Sequence, residues 1–369
     1  MLTIPCYDFG PARVRPSPTS LAPPLTRVLP KPLVNVGYLP LHEDGRIFLS
    51  HTNGELVAYD AGAFAPLWTH TFGERYQPLA SMTGACVLVE GAVVLFAGKD
   101  LVVLDPATGH VRERVALEGF DLWSAAIVGP LLVGQRWDGG RKLTAFHLGE
   151  RRIVWQRPIT SPTGMVAAAD GVACRFEGAF AAGGALDTGE DRWTYSVEEL
   201  GQHTDVLGDH QPGTTVGRPI VWEGALLLAV RAHHVVSLDL TTGTPRWIRR
   251  VAAQNPSTLT AYEGKLLVLG EKTLETLDAR TGDLLSERDL SAELARVGAA
   301  GPMSRPAVTD EHLYCGDGQR GVLGIERATG RVAWREHCKA RVPLGYAPVV
   351  LGPRLYVVDS AGCFQVWAH

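Results

Sequence analysis

Cysteine is scarce and scattered: six in 369 residues, at Cys6, Cys86, Cys174, Cys315, Cys338 and Cys363, with no CxxC and no adjacent pair. That spacing excludes the common zinc and dithiol motifs and leads us to expect free buried thiols in a cytoplasmic protein. Long apolar runs are missing as well. No stretch approaches the ~18 consecutive apolar residues of a membrane-spanning helix, so no membrane role is expected. The first residues, MLTIPCYDFGPARVRP, have no basic start and no apolar core of a leader, and nothing around Cys6 resembles a lipoprotein cleavage site. Charge of one sign is absent too: 35 Lys+Arg against 39 Asp+Glu leave −4. Such a balance offers no basic field for nucleic acid. HExxH, GxSxG and P-loop patterns do not occur, so no metal and no catalytic residue is assigned.

Glycine (41) and proline (24) are plentiful, which points to many tight turns, and 46% apolar residues are enough for a core. The informative feature is a repeat. A strand ends in an acidic residue, a Gly turn follows, and Trp returns eight residues after the anchor: Asp60 with Trp68, Asp239 with Trp247, Glu326 with Trp334, and His147 with Trp155 in place of the acid. Asp187 with Trp193 reads as the same unit shortened by two, while Asp105 and Asp278 keep the turn without the Trp. An eighth unit begins at Arg354 and stops where the chain ends. Successive anchors lie between 39 residues (239 to 278) and 52 residues (187 to 239) apart. That period excludes short solenoid repeats and suits four strands per unit.

Each unit reads as short apolar strands bounded by Gly, Asp and Pro, with no long helical period; only the stretch from Ser291 suggests a turn or two of helix. The expected fold is therefore all-β: a single β-propeller of eight four-stranded blades, or seven as the alternative, closed by an N-terminal strand. Residues 1–32 are read as the closing strand and a Pro-rich arm, and residues 33–369 as the propeller. Trp68, Trp155, Trp193, Trp247 and Trp334 recur at one position, which makes them packing residues between neighbouring blades.

The pattern DxxTGxxxW resembles the Trp-docking signature of the quinoprotein-like (PQQ-type) propeller repeat. The family includes quinone-dependent alcohol dehydrogenases and the lipoprotein of the outer-membrane barrel-assembly machinery, and the resemblance implies eight blades. In the dehydrogenases, adjacent cysteines cover the quinone and Glu, Asn and Asp hold calcium. Here there is no Cys-Cys and there are just three Asn, at 35, 53 and 255, so no cofactor is expected.

The eighth unit lacks its outer strand, and Leu2–Phe9 is the expected donor, with Leu25–Leu29 second. Only Pro30, Lys31 and Pro32 separate Leu29 from a first inner strand at Leu33. At ~3.3 Å per residue that reach is marginal for three strand spacings of ~4.8 Å.

Candidate functional residues follow from loop geometry. The Gly turns open at one end of the blades, and the irregular segments gather at the other. The expected partner-binding set is Arg75, Tyr76, Trp123, Trp137, Asp138, His203, Asp205, Asp209, His210, Arg296 and Arg341. Trp, Tyr and Arg are enriched in interfaces. The cluster His203, Asp205, Asp209 and His210 has no recognised metal spacing and reads as a solvated loop without strand pattern. The expected function is a non-catalytic scaffold, monomeric by itself, that binds a partner protein, one form being an immunity protein that neutralises a toxin. The alternative is a ligand-binding or enzymatic propeller using its central channel.

Overall fold

A computed structural model describes residues 3–5, 21–29, 31–37, 40–73, 86–89, 91–117, 120–137, 139–159, 166–204, 210–231, 233–253, 258–302, 304–342 and 347–369. Their strands form an eight-bladed β-propeller. Blades one to seven span residues 41–71, 86–116, 120–158, 166–196, 215–250, 258–289 and 307–337; blade eight combines 349–368 with Thr26–Arg27. Within each blade the strands are antiparallel and run from inner to outer in chain order, except where Thr26–Arg27 supplies the outer strand of blade eight. Blades three to six form one compact unit with Met1–Tyr7; blades seven, eight, one and two form the other.

Burial explains the strand sequences. Second strands such as Ala92–Ala97 (AVVLFA) and Ala225–Val230 (ALLLAV) are buried at every residue, because each lies between neighbouring sheets. Continuous apolar runs are the consequence. Outer strands such as Pro66–Thr71, Pro245–Arg250 and Leu284–Asp289 alternate between exposed and half-buried residues, since just one face packs. The first turn of several blades has two left-handed residues in succession, for example Glu223 (φ 43°) and Gly224 (φ 68°). This is the type I′ geometry whose twist matches the flanking strands.

The closing strand is Thr26–Arg27, not Leu2–Phe9. It pairs with Phe364–Ala368 in the register Thr26↔Ala368 and Arg27↔Trp367. Val28 N–H donates to Val366 (2.8 Å) and Phe364 N–H to Leu33 (2.8 Å), which extends cover along the strand. Leu21, Leu25 and Leu29 are buried, and the Tyr314 hydroxyl donates to the Leu21 carbonyl at 2.6 Å. The chain does not enter blade one at Leu33. Blade one begins at Leu41, so residues 28–40 make the crossing, and ~3.3 Å per residue is ample for that length. Of the expected donor, Thr3–Pro5 pairs with blade three instead, and residues 6–9 lie outside the described set. Blade eight meets blade one through Arg354, which donates to the Ala61 carbonyl and stands 5.3 Å from the Phe64 ring centre.

A second correction concerns blade four. Gly189 N–H donates to Ala185 as Gly243 N–H does to Asp239. The anchor is therefore Ala185, with Trp193 the usual eight residues on, and Asp187 sits inside the turn. The unit is not shortened. Cys86, Cys174, Cys315, Cys338 and Cys363 are buried as separate thiols in different strands or turns, and burial pushes Cys174 and Cys338 up to about 12. No helix among the described residues is long and apolar enough to cross a membrane.

Candidate functional site

The two ends of each blade are built differently. At the end with the Gly turns, polar groups are consumed locally. The Asp239 carboxylate accepts the N–H groups of Thr241 and Thr242 at 3.0 Å each, both their hydroxyls, and Arg246 Nη2 at 2.9 Å. These contacts, led by the Thr241 hydroxyl and then Arg246, hold its carboxyl far below the ordinary range. Asp105 repeats the arrangement with Arg112 first and Thr108 second, which puts it at about 2. Asp60 and Asp278 accept the same two turn N–H groups.

In four of the turns the Gly is the seat of the preceding blade's Trp: Gly109 for Trp68, Gly189 for Trp155, Gly243 for Trp193 and Gly282 for Trp247. Gly243 has φ +70°, and a Cβ there would stand 2.5 Å from Cδ2 of Trp193. Only a residue without Cβ admits both the backbone angle and the ring. Trp193 Nε1 donates to the Leu240 carbonyl at 3.0 Å, and Trp68, Trp155 and Trp247 do likewise to Pro106, Leu186 and Ala279. Trp334 instead meets Trp367 edge-on, with ring centres 5.7 Å apart. Trp68, Trp155, Trp193 and Trp247 thus lie against the Gly turn of the following blade, and Trp334 lies against Trp367. The sequence marks these glycines as turn residues, and the rings they seat become visible in the structure alone.

At the opposite end, buried carboxylates fasten the connections between blades. Glu275 of blade six, 3% exposed, accepts the N–H of Ala252 at 2.7 Å as the chain leaves blade five. Asp359 of blade eight accepts Ala340 N–H at 3.0 Å as the chain leaves blade seven, along with the N–H groups of Ala361 and Cys363 in its own turn. Asp317 of blade seven, fully buried, accepts Gln319 and Gly321 N–H and Arg335 Nε at 3.0 Å. Arg335 in turn donates to Val297 at the end of helix Ser291–Val297. These three carboxylates escaped the sequence reading because an acidic residue in a strand or turn looks like surface; the Asp-Gly pair at 317–318 was their one signal.

The expected binding residues divide as follows. Arg75, Tyr76, Asp138, Asp205 and Asp209 lie outside the described residues. Trp123 and Trp137 belong to strands rather than loops: Trp123 to the inner strand Phe120–Val128 and Trp137 to the end of Leu131–Trp137, paired with Arg141. His203 and His210 are in a separate two-stranded hairpin, Gln202–Thr204 with His210–Pro212, whose register is His203↔Gln211 and Thr204↔His210. This corrects the expectation that the segment has no strand pattern. Alternation of Gln, His and Thr in these strands offers no apolar period, so periodicity could not reveal it.

Arg296 is not a free cation. Its guanidinium pairs with Glu293 at 2.7 Å and donates to the Val332 carbonyl at 2.7 Å, while Glu293 accepts Val332 N–H. The pair clamps the helix along the outer strand of blade seven. Arg341 is exposed, and its carbonyl accepts Ser360 N–H beside the Asp359 turn. The structure thus places His203 and His210 on the two strands of one hairpin and Arg296 and Arg341 in the other unit. Among the described residues there is no group of three His, Cys, Asp or Glu side chains placed to hold a metal.

This repeat and topology are shared with known proteins. The chain matches the family described as outer membrane protein assembly factor BamB over residues 24–175, 178–296 and 270–369. No curated protein matches it. BamB from Moraxella catarrhalis is 18% identical, with 94% of this chain and 100% of that chain covered and a TM-score of 0.66. The computationally designed Ika8 protein is 14% identical, with 92% and 98% covered and a TM-score of 0.68. A europium-containing methanol dehydrogenase is 12% identical, with 94% and 93% covered and a TM-score of 0.62. At these identities the structural likeness is one of fold, and the family match extends over nearly the whole chain, so the protein belongs to the BamB family of PQQ-type propellers.

Proposed function

We propose that this protein is a non-catalytic scaffold that binds a partner protein at the blade ends where the interblade connections and the second turns emerge. The observation that carries the reading is the contrast between the ends. Gly turns spend their carboxylates, hydroxyls and indole N–H groups on themselves and on the next blade. At the other end, buried carboxylates fix the bases of the connections, and one connection rises into its own hairpin. Segments held at their bases by a rigid scaffold are where binding residues concentrate. The family's description as an assembly factor supports a role in protein association.

In its narrowest form the partner is a toxin whose active site the scaffold covers, and the protein acts in the cytoplasm, monomeric alone and without a cofactor. Affinity capture from the native cell followed by mass spectrometry identifies the partner. Growth of cells expressing that partner, with and without this chain, then tests the toxin form: rescue supports it, and a harmless partner rejects it. The cytoplasmic reading expects six free thiols in the denatured, freshly purified protein; a titration finding two or none reverses it.

A further inference from the structure

Charge is divided by depth where the connections of blades seven and eight emerge. The stretches that meet there, 27–40, 298–309, 318–325 and 337–348, contain no Asp or Glu, in a chain whose net charge is −4. The two turn carboxylates beside them are spent inward. Asp317 is fully buried on Arg335 and two turn N–H groups, and Asp359, 1% exposed, accepts the N–H groups of Ala340, Ala361 and Cys363. Glu336 is half-buried. The cations of this end, Arg27, Lys31, Arg320, His337 (when protonated), Lys339 and Arg341, are all exposed.

Main-chain bonds hold these cations close to one another. Cys338 N–H donates to the Arg320 carbonyl at 2.9 Å, Ala340 N–H to Asp359 at 3.0 Å, and Ser360 N–H to the Arg341 carbonyl at 2.9 Å, so residues 338–341 are laced to the second turns of both blades. Lys339 and Arg341 flank the fastened Ala340, and Arg320 stands opposite Cys338. Arg27 joins them from the closing strand: it donates to Gln365 at 3.0 Å, and Gln365 also bonds the Cys338 thiol. Arg320, Lys339 and Arg341 form no ion pair among the described residues. Like charges held close repel one another, and an opposing anion relieves that repulsion.

We propose that this end of blades seven and eight binds an acidic segment of the partner protein, with Arg320, Lys339 and Arg341 as its charge contacts. The inference rests on the scaffold reading above and adds the partner's chemistry to it. An acidic protein segment fits better than nucleic acid: the cations occupy one end of two blades, and a run of phosphates extending past them meets a chain of net negative charge. Buried Asp317 and Asp359 serve as positioning residues, since they hold the backbone that carries the three cations. The exposed charges steer the encounter and make it salt-dependent.

The probe is a fluorescent peptide of alternating Glu and Ser, compared by anisotropy with an oligothymidylate of equal length. The full chain should bind the peptide saturably in low salt and lose affinity as salt rises. Arg320→Glu combined with Lys339→Glu and Arg341→Glu should weaken binding at least about ten-fold. Lys99→Glu combined with Lys265→Glu and Lys272→Glu, three exposed sites elsewhere, changes the net charge equally and should leave binding near wild type. No saturable binding, equal loss in both variants, or tighter binding of the oligothymidylate overturns the proposal. Should the reversed variant fail to fold, Arg320→Gln with Lys339→Gln and Arg341→Gln decides by the same comparison. The captured partner should likewise lose affinity in the reversed variant at unchanged melting temperature. A partner that responds to a Gly-Ser bridge at 203–210 and not to the reversed patch overturns this inference alone; one that responds to Asp283→Lys in a Gly turn and to neither of these overturns the scaffold reading with it.

Discussion

At the scale of single residues, four of the junctions between blades are made from one indole and one glycine: Trp68 on Gly109, Trp155 on Gly189, Trp193 on Gly243 and Trp247 on Gly282. Trp193 is 7% exposed, seated on Gly243 and bonded to Leu240, whereas Trp247 is half-buried on Gly282 with a longer bond of 3.2 Å to Ala279. Trp193→Ala should cost about 3–5 kcal/mol, the range of buried large-to-small changes, and Trp247→Ala less. Urea unfolding of both variants checks the order. Equal stability of Trp193→Ala and wild type, with partner binding lost, would make the tryptophan a binding residue instead. The indole position was legible in the sequence because it repeats. The anchor of blade four was misread because Asp187 imitates the acidic residue that Ala185 replaces; the hydrogen bond from Gly189 identifies the true position.

Among elements, the connections between blades are the part least readable in advance, since what orders them is buried and polar. Glu275 is the clearest case. Desolvation raises its carboxyl, opposed by the bond from Ala252 and assisted by nearby Glu287. A carboxylate whose folded pKa lies above its unfolded value binds more protons when folded, so stability rises as pH falls through the folded pKa toward the unfolded one. Glu275→Gln keeps an acceptor for Ala252 and removes the charge. Denaturation midpoints at pH 7 and pH 4.5 should show the variant equal to or more stable than wild type at pH 7. That advantage should shrink at pH 4.5; an advantage that grows there contradicts the account. The hairpin at 202–212 was visible as excess length and invisible as structure, because its strands offer no apolar period.

For the whole molecule, the repeat period was enough to read an all-β propeller of eight or seven blades, and the family resemblance pointed to eight, since identical turns at near-equal spacing leave few other ways to bury two-faced strands. The closing segment was harder: its ladder is two residues long, and its anchorage comes from Leu21, Leu25 and Leu29, which no period marks. Removing residues 1–9 should leave melting temperature and solubility close to those of the full chain. Removing residues 1–29 should uncover the edge of Phe364–Ala368 together with the apolar surface beneath those leucines, and the product should aggregate. A stable, soluble chain beginning at residue 30 would return the closing role to another segment.

The central claim is that partners bind where the interblade connections emerge and not at the Gly turns. Its most direct test is calorimetric affinity for the captured partner, measured alongside melting temperature, with two variants of the protein. One replaces residues 203–210 by a short Gly-Ser bridge; the other is Asp283→Lys, in the Gly turn of blade six, where the carboxylate accepts the Thr281 hydroxyl at 2.7 Å. The account predicts that the bridge weakens binding at unchanged melting temperature and that Asp283→Lys leaves affinity within experimental error. Loss of binding in Asp283→Lys, with the bridged variant binding as wild type, would contradict it.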